Sequence, residues 1–170
     1  MLKKTNKSSK TTFSLNSLKY NQKNNILNQI NLNYDSNIEN LKEYYFYINN
    51  KNKIFISKID LSSLYSLRVV NIGIYFGTLH DNNNFRLSIE GSQLITPKKN
   101  YIEITEETLK SYLAAENIFT DEVLKVNTDN LFPFLIVKFK NNNLGCVSKK
   151  DKFYLNYLPK TRKLNFNKLF

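Results

Sequence analysis

The amino-acid sequence predicts an α+β fold, in which a small N-terminal α/β unit precedes a small β pseudo-barrel that carries two helices. Short runs of β-favouring residues recur along the chain and are separated by Asn-rich turns, a pattern typical of small, partly closed barrels. Two stretches with helical spacing interrupt these runs. The 170 residues are 41% hydrophobic and 14% aromatic, which is enough for a core in one domain or in two very small ones.

Residues 22–66 are predicted to form the small α+β unit. Residues 22–32 place three apolar side chains near one face at helical spacing, and these are Ile26, Leu27 and Ile30. The aromatic run at 43–48 and the apolar run at 54–59 flank a turn with the sequence NNKN, so they predict a hairpin. A turn or short helix at 60–66 is expected to end the unit.

Residues 67–164 are predicted to form the barrel. Its strands are expected at 68–79, 100–104, 131–140, 144–150 and 152–158. The segment 85–95 begins extended and continues as a short helix, for which Ser88 is a suitable N-cap. Pro133 stands near the start of its strand, where a missing N–H is tolerated.

The helix predicted over 105–118 has the clearest pattern in the chain. Thr105 can cap it, and two acidic residues follow in the first turn, where the helix dipole favours negative charge. Three residues form the stripe expected to be buried, and they are Leu109, Tyr112 and Leu113.

Charge is concentrated at the two ends of the chain. The formal net charge is +11, and residues 1–24 and 147–170 carry all of the excess. Such asymmetry predicts a polyanionic partner, for which nucleic acid is the leading candidate. A second interpretation remains open, because 22 of the 25 basic residues are lysine and lysine is a common solvated surface residue. Residues 1–21 are lysine-rich and aperiodic and are predicted to be a disordered tail, and 165–170 is predicted to be a short C-terminal tail.

The sequence offers few residues for catalysis. His80 and Cys146 are the only histidine and cysteine, and they lie far apart in a chain without a supporting motif. No zinc cluster is possible by count, and neither GxGxxG nor GxxxxGK[ST] occurs. We therefore expect no enzymatic activity, no cofactor and no metal. Cys146 is interpreted as a small buried hydrophobe, with a nucleophilic role as the alternative.

Membrane insertion is not predicted. The sequence has no apolar run of the roughly 20 residues that a transmembrane helix needs, and its N-terminus lacks the apolar region of a signal peptide. A single cysteine excludes an internal disulfide. A cytoplasmic protein is expected.

Three stretches of the second half resemble a known RNA-binding region. They are RVVNIGIYFGTLHDNNNFRLSIEGSQLI, NYIEITEETLKSYLAAENI and FLIVKFKNNNLGCVSKKDKFYLNYLPKTRKL. In this order they resemble the C-terminal region of the NOL1/NOP2/Sun family of RNA cytosine-5 methyltransferases and its stand-alone archaeal relatives. Residues 28–58 resemble the small unit that precedes this region, and the whole resemblance covers roughly 25–164.

The resemblance implies a PUA-like pseudo-barrel over 67–164 and a pre-PUA unit over 22–66. It implies an RNA-binding protein that acts on ribosomal or transfer RNA in ribosome biogenesis or RNA modification. The family's methyltransferase motifs do not occur in this sequence, so binding without methyl transfer is expected. The alternative is an adaptor that brings RNA to a separate methyltransferase or ribosome-assembly protein.

The resemblance also implies an RNA-facing groove, whose residues we expect to act in three ways. Glycines would let RNA approach the backbone, cations would neutralise phosphates, and tyrosines would stack on unpaired bases. The candidate residues are Arg68, Gly73, Tyr75, Gly77, Arg86, Gly91, Ser92, Lys149, Lys150, Tyr154, Lys160, Arg162 and Lys163, with Tyr157 as a further stacking candidate. Alternation along 152–158 allows only one face of that strand to be exposed.

Overall fold

The protein is a mixed α+β structure with two sheets, one of them curled into a half-barrel. The computed structural model describes residues 15–61, 73–80 and 84–165. Within these residues the helices are α1 (Tyr20–Tyr34), α2 (Glu39–Lys42), α3 (Ile89–Gln93) and α4 (Glu106–Leu113). The strands are β1 (Leu15–Ser17), β2 (Tyr45–Asn49), β3 (Lys53–Ser57), β4 (Ile74–Leu79), β5 (Phe85–Leu87), β6 (Tyr101–Ile104), β7 (Ile118–Phe119), β8 (Val123–Asn127), β9 (Phe134–Phe139), β10 (Asn142–Lys149) and β11 (Phe153–Asn156).

The first sheet has the order β1-β2-β3-β4-β5, and every neighbouring pair is antiparallel. The predicted hairpin is its centre, formed by β2 and β3. Its turn is stabilised by the side-chain oxygen of Asn49, which accepts hydrogen bonds from the backbone N–H groups of Lys51 (2.9 Å) and Lys53 (3.0 Å). The turn at the centre of the first sheet is therefore specified by the local sequence, through Asn49.

The second sheet has the order β7-β11-β10-β9-β6-β8. Only the pair β6 and β9 is parallel among its neighbours, and the others are antiparallel. A bulge in β10 falls between Asn143 and Gly145, and Gly145 has a φ of +125°. Glycine suits this position because L side chains rarely adopt that conformation.

Strand β9 joins two hydrophobic cores. Phe134 and Ile136 belong to the first core, which also takes Ile30 from α1 and Phe76 from the first sheet. The intervening residues Leu135 and Val137 face the second core, which α4 covers with the fully buried Tyr112. The alternation of side chains along one strand thus places both cores on opposite faces of the second sheet.

Two sequence predictions need correction at the N-terminal side. Residues 15–21 are not a disordered tail, because β1 pairs with β2 and α1 begins at Tyr20. The boundary predicted at 66/67 does not separate two structural units, because β3 pairs with β4 across it and the first core draws on both sides. The parts of these predictions that fall on 1–14 and 62–72 lie outside the described residues.

Helix α4 is shorter than the predicted helix at 105–118. Thr105 caps it as expected, with its hydroxyl accepting a hydrogen bond from the N–H of Thr108 at 3.2 Å. The helix ends at Leu113 because Ala115 has a φ of +55°, which ends the α-helical hydrogen-bond pattern. The chain then turns into β7, which pairs with β11.

Candidate functional site

A cleft of about 400 Å³ lies where the first sheet, α3, β10 and the segment after β11 meet. We call it the Arg86 cleft. Its charged and aromatic lining consists of Lys53, Tyr75, Arg86, Glu90, Tyr112, Tyr157 and Arg162. Tyr75, Arg86 and Arg162 are among the predicted RNA-binding residues, and Tyr157 is the further stacking candidate, so the fold brings part of that set together.

Arg86 projects from β5 and is half-buried. Its guanidinium carbon lies 4.0 Å from the ring centroid of Tyr157 and 5.9 Å from that of Phe134. Such stacking holds the planar guanidinium and leaves its N–H groups available at the edges. In the described part of the chain, Arg86 forms no ion pair with a carboxylate. A half-buried cation of this kind favours an anionic ligand.

Lys53 and Tyr75 form the neighbouring side of the cleft. The Lys53 ammonium lies 5.4 Å from the centroid of the Tyr75 ring. Tyr75 is half-buried, and its hydroxyl shares a hydrogen bond of 2.5 Å with the hydroxyl of Thr78. Tyr75 is therefore held beside a cation with part of its ring accessible. This arrangement is suited to a base next to a phosphate.

Helix α3 forms the floor of the cleft, and its predicted RNA contacts serve the fold instead. The Ser88 hydroxyl accepts a hydrogen bond from the N–H of Gly91 at 2.9 Å and donates one to the carbonyl of Tyr75. A Cβ on Gly91 would lie 2.0 Å from the carbonyl oxygen of Phe76. Ser92 is fully buried, and its hydroxyl donates to the carbonyl of Ile89 at 2.7 Å. Gly91 and Ser92 are therefore not available to RNA.

Gly73, just before β4, and Gly77, within β4, show the same pattern. A Cβ on Gly73 would lie 2.1 Å from the carbonyl oxygen of Ile56, and one on Gly77 would lie 2.4 Å from that of Arg86. The close approach that these glycines permit is to the protein's own backbone. Their predicted role in admitting RNA is replaced by a role in packing the first sheet.

Glu90 and Arg162 form an ion pair at the cleft. Glu90 lies in the first turn of α3, and Arg162 belongs to a 3₁₀ turn at Lys160–Arg162. Lys160 and Lys163, also predicted as RNA contacts, flank Arg162 and are exposed. The cleft thus has three lining cations and one lining carboxylate among the described residues.

Cys146 lies at the base of the cleft and is buried, with 3% of its surface exposed. Burial raises the pKa of its thiol to about 12, and a hydrogen bond with Tyr34 and the charge of Arg86 oppose this only in part. The thiol is therefore protonated near neutral pH, whereas a nucleophile needs the thiolate. These properties favour the structural interpretation of Cys146.

Tyr154 is not a stacking residue. It is 2% exposed and belongs to the second core, and burial raises its pKa. Tyr157, just after β11, instead lines the cleft beside Arg86. The alternation along β11 was predicted, but the sequence does not show which face α4 and its neighbours cover.

Lys149 and Lys150 are exposed but lie away from the Arg86 cleft. They line a wider open groove with Asn130, Leu131 and Ser148. The Lys149 ammonium donates to the side-chain oxygen of Asn130 at 3.3 Å. The remaining predicted residue, Arg68, lies outside the described residues.

Sequence reasoning missed Lys53 and Glu90. Lys53 begins β3, next to the predicted hairpin turn, and Glu90 follows the N-cap of the predicted short helix. Both belong to elements that were predicted. Only the pairing of β3 with β4 and the seating of α3 on that sheet show that they share a cleft.

No protein-family model matches this chain, and no curated protein matches it in sequence. Of the helices in the described residues, none combines the length and the apolar character needed to cross a bilayer. Within the same residues, no three His, Cys, Asp or Glu side chains are grouped in a way that could hold a metal ion.

Proposed function

We propose that this protein binds RNA through the Arg86 cleft and performs no catalysis of its own. The proposed ligand is ribosomal or transfer RNA, and the proposed setting is ribosome biogenesis or RNA modification. The class of RNA and the setting rest on the resemblance to the RNA-binding region of the NOL1/NOP2/Sun family. The chemistry of the site supports the proposal independently.

The environment of Arg86 is the observation that supports the proposal most strongly. Arg86 is half-buried, it is stacked at 4.0 Å on Tyr157, and it has no carboxylate partner in the described part of the chain. Desolvation of a guanidinium is unfavourable unless an anion compensates it, and a phosphate accepts two parallel N–H hydrogen bonds from arginine. Lys53 and Arg162 add charge on either side of the cleft.

The aromatic residues favour an unpaired nucleotide over a duplex. Tyr75 and Tyr157 line the same cleft, and its volume of about 400 Å³ is at the low end of the range for small-ligand sites. Unpaired bases can enter such a cleft and stack, whereas paired bases stay within the helix. The net charge of +11 supplies the long-range attraction to a polyanion.

We propose further that the described residues from 73 to 164 adopt a PUA-like arrangement. The order of elements supports this interpretation. A glycine-containing strand (β4) precedes a short helix (α3), a Glu-led helix (α4) and the strand that contains Leu144, Gly145 and Cys146 (β10).

The direct test is the substitution Arg86→Gln. We expect affinity for single-stranded RNA to fall about 10- to 30-fold, because charge-assisted hydrogen bonds to phosphate are lost. Lys138→Gln is the matched control, since Lys138 is also half-buried and stacked, 4.6 Å from the Tyr101 ring, but lies outside the cleft. Fluorescence anisotropy with labelled RNA measures both. Equal losses for the two variants would contradict the proposed site.

A second candidate function is an adaptor that brings RNA to another protein. Strand β8 is at the edge of the second sheet, and it exposes Leu124 (67%) and Val126 (44%). An exposed edge strand with apolar side chains is suited to pairing with another chain. A methyltransferase that co-purifies with the wild-type protein but not with Leu124→Asp would favour this function.

A further inference from the structure

Glu90 is the only carboxylate among the described residues that line the Arg86 cleft. It pairs with the guanidinium of Arg162. The side chains of Glu90 and Arg162 are 32% and 52% exposed, so the pair is accessible to solvent and to a ligand. The RNA-binding proposal gives Arg162 a role, but it leaves the acidic partner unexplained.

Both partners of the pair are held by the fold. Glu90 is on α3, which is fixed by its Ser88 cap and by the close contact of Gly91 with Phe76. The segment that carries Arg162 is attached to α4, because the N–H of Leu164 donates to the carbonyl of Leu113 at 2.9 Å. The ion pair therefore links α3 to the C-terminal segment at the cleft.

We propose that Glu90 is a selectivity-determining residue, which restrains Arg162 and so disfavours polyanions whose anionic groups outnumber their hydrogen-bond donors. This inference rests on the proposed function, since it concerns the same cleft. An anion that enters must take Arg162 from Glu90 and must tolerate the carboxylate beside it. Exposed ion pairs are weak, so a suitable ligand can make this exchange at little cost.

RNA differs from other polyanions in what it offers to the released carboxylate. The ribose 2′-hydroxyl and the exocyclic amino groups of bases are hydrogen-bond donors, and a carboxylate accepts from both. Heparin also carries sugar hydroxyls, but its sulfate and carboxylate groups outnumber them and repel Glu90. Glu90 thus lowers affinity for polyanions in general more than it lowers affinity for RNA.

The test compares Glu90→Gln with Glu103→Gln. Glu103 is a closely matched control, because its side chain is 31% exposed and pairs with Lys125 at 3.9 Å, but it does not line the cleft. Both substitutions raise the net charge by one. Binding of a fluorescent single-stranded RNA and of heparin is measured at several salt concentrations, with thermal unfolding as the check on folding.

For Glu90→Gln we expect about five- to tenfold tighter heparin binding and a steeper salt dependence, by about one unit of slope. The ratio of RNA affinity to heparin affinity should fall. The control should change heparin affinity less than twofold. In an Arg162→Gln background, Glu90→Gln should no longer steepen the salt dependence, because no guanidinium remains to be released to the anion.

Unchanged heparin binding by Glu90→Gln, or a change equal to that of the control, would overturn the inference. So would an equal gain for RNA and heparin, or a steeper salt dependence that persists in the Arg162→Gln background. The RNA-binding proposal fails separately, if wild type has no RNA preference and Arg86→Gln leaves RNA affinity unchanged. The heparin measurements still decide the role of Glu90 in that case.

Discussion

Single residues of this protein combine roles that their sequence positions do not reveal. Arg86 lines the cleft and also lies close enough to Cys146 to influence its pKa. Cys146 in turn contacts Tyr34, whose own pKa burial raises well above its ordinary value. The residues beneath the cleft are thus kept neutral, and those at its surface are charged.

Because the pKa of the Cys146 thiol is raised, we expect the protein to lose stability as the pH rises above 9. The unfolded thiol loses its proton near pH 9, but the folded thiol keeps its proton up to about pH 12. Between these values the unfolded state binds fewer protons, so the free energy of unfolding falls as pH rises. We expect Cys146→Ala to reduce this fall between pH 9 and 10 by about 1 kcal/mol per pH unit.

Urea unfolding at pH 7, 9 and 10 measures this effect. The window stops at pH 10 because Tyr34 and Tyr112, whose pKa values burial also raises, have ordinary values of 10.0. The substitution also removes buried volume, which shifts stability equally at every pH. Parallel pH profiles for wild type and Cys146→Ala would show that the thiol is not the group responsible.

For single residues, the sequence predicted which types of side chain form the cleft better than it predicted which residues are accessible. It selected Tyr75, Arg86 and Arg162, which meet in the cleft, because the resemblance indicated their segments and because cations and aromatics suit RNA by type. It also selected Tyr154 and Ser92, which are buried. Burial depends on which face a distant element covers, and periodicity does not carry that information.

At the scale of elements, α3 is attached to β4 by a contact that only glycine allows. The carbonyl oxygen of Phe76 would lie 2.0 Å from a Cβ at Gly91, and it also accepts a hydrogen bond from the N–H of Ser88 at 3.0 Å. Because a carbonyl within a strand has little freedom to move, a larger residue must displace the helix. The position of the cleft floor therefore depends on this contact.

We expect Gly91→Ala to lower the free energy of unfolding by about 3 kcal/mol, at the upper end for overpacking. Gln93→Ala is the control, because Gln93 is exposed on the same helix and should change stability by less than about 0.5 kcal/mol. Chemical denaturation measures both. A stable Gly91→Ala protein with weakened RNA binding would instead support the direct contact between Gly91 and RNA that the sequence predicted.

Most elements could be predicted because their signals are local. The hairpin of β2 and β3, the caps of α3 and α4, and strands β9 to β11 follow from periodicity and turn residues. Strands β1, β7 and β8 were missed. They contain three, two and five residues at or near sheet edges, where pairing partners rather than a sequence pattern define the strand.

At the scale of the whole molecule, the two cores bind the N-terminal and C-terminal parts into one unit. Ile26, Leu27 and Ile30 of α1 belong to the same core as Phe134 and Ile136 of β9. The predicted boundary at 66/67 followed a change in local pattern. The sequence could not reveal that the first sheet would cross this boundary, because strand pairing between distant segments leaves no local signature.

We therefore expect the fragment 67–170 not to fold by itself, whereas the full chain should unfold in one cooperative transition. The fragment would expose the apolar face of β9 that α1 and the first sheet cover. Near-ultraviolet circular dichroism and urea unfolding measure the difference. A cooperative transition in the fragment would show that the predicted barrel is an independent domain.

RNA titration of Arg86→Gln beside Lys138→Gln is the decisive measurement for RNA binding at the Arg86 cleft. Both cations stack on aromatic rings, but only Arg86 lines the cleft with Lys53 and Arg162. A loss of about 10- to 30-fold for Arg86→Gln, with less than threefold for Lys138→Gln, is the predicted result. Equal affinities for both variants would show that RNA binds elsewhere or only through the overall positive charge.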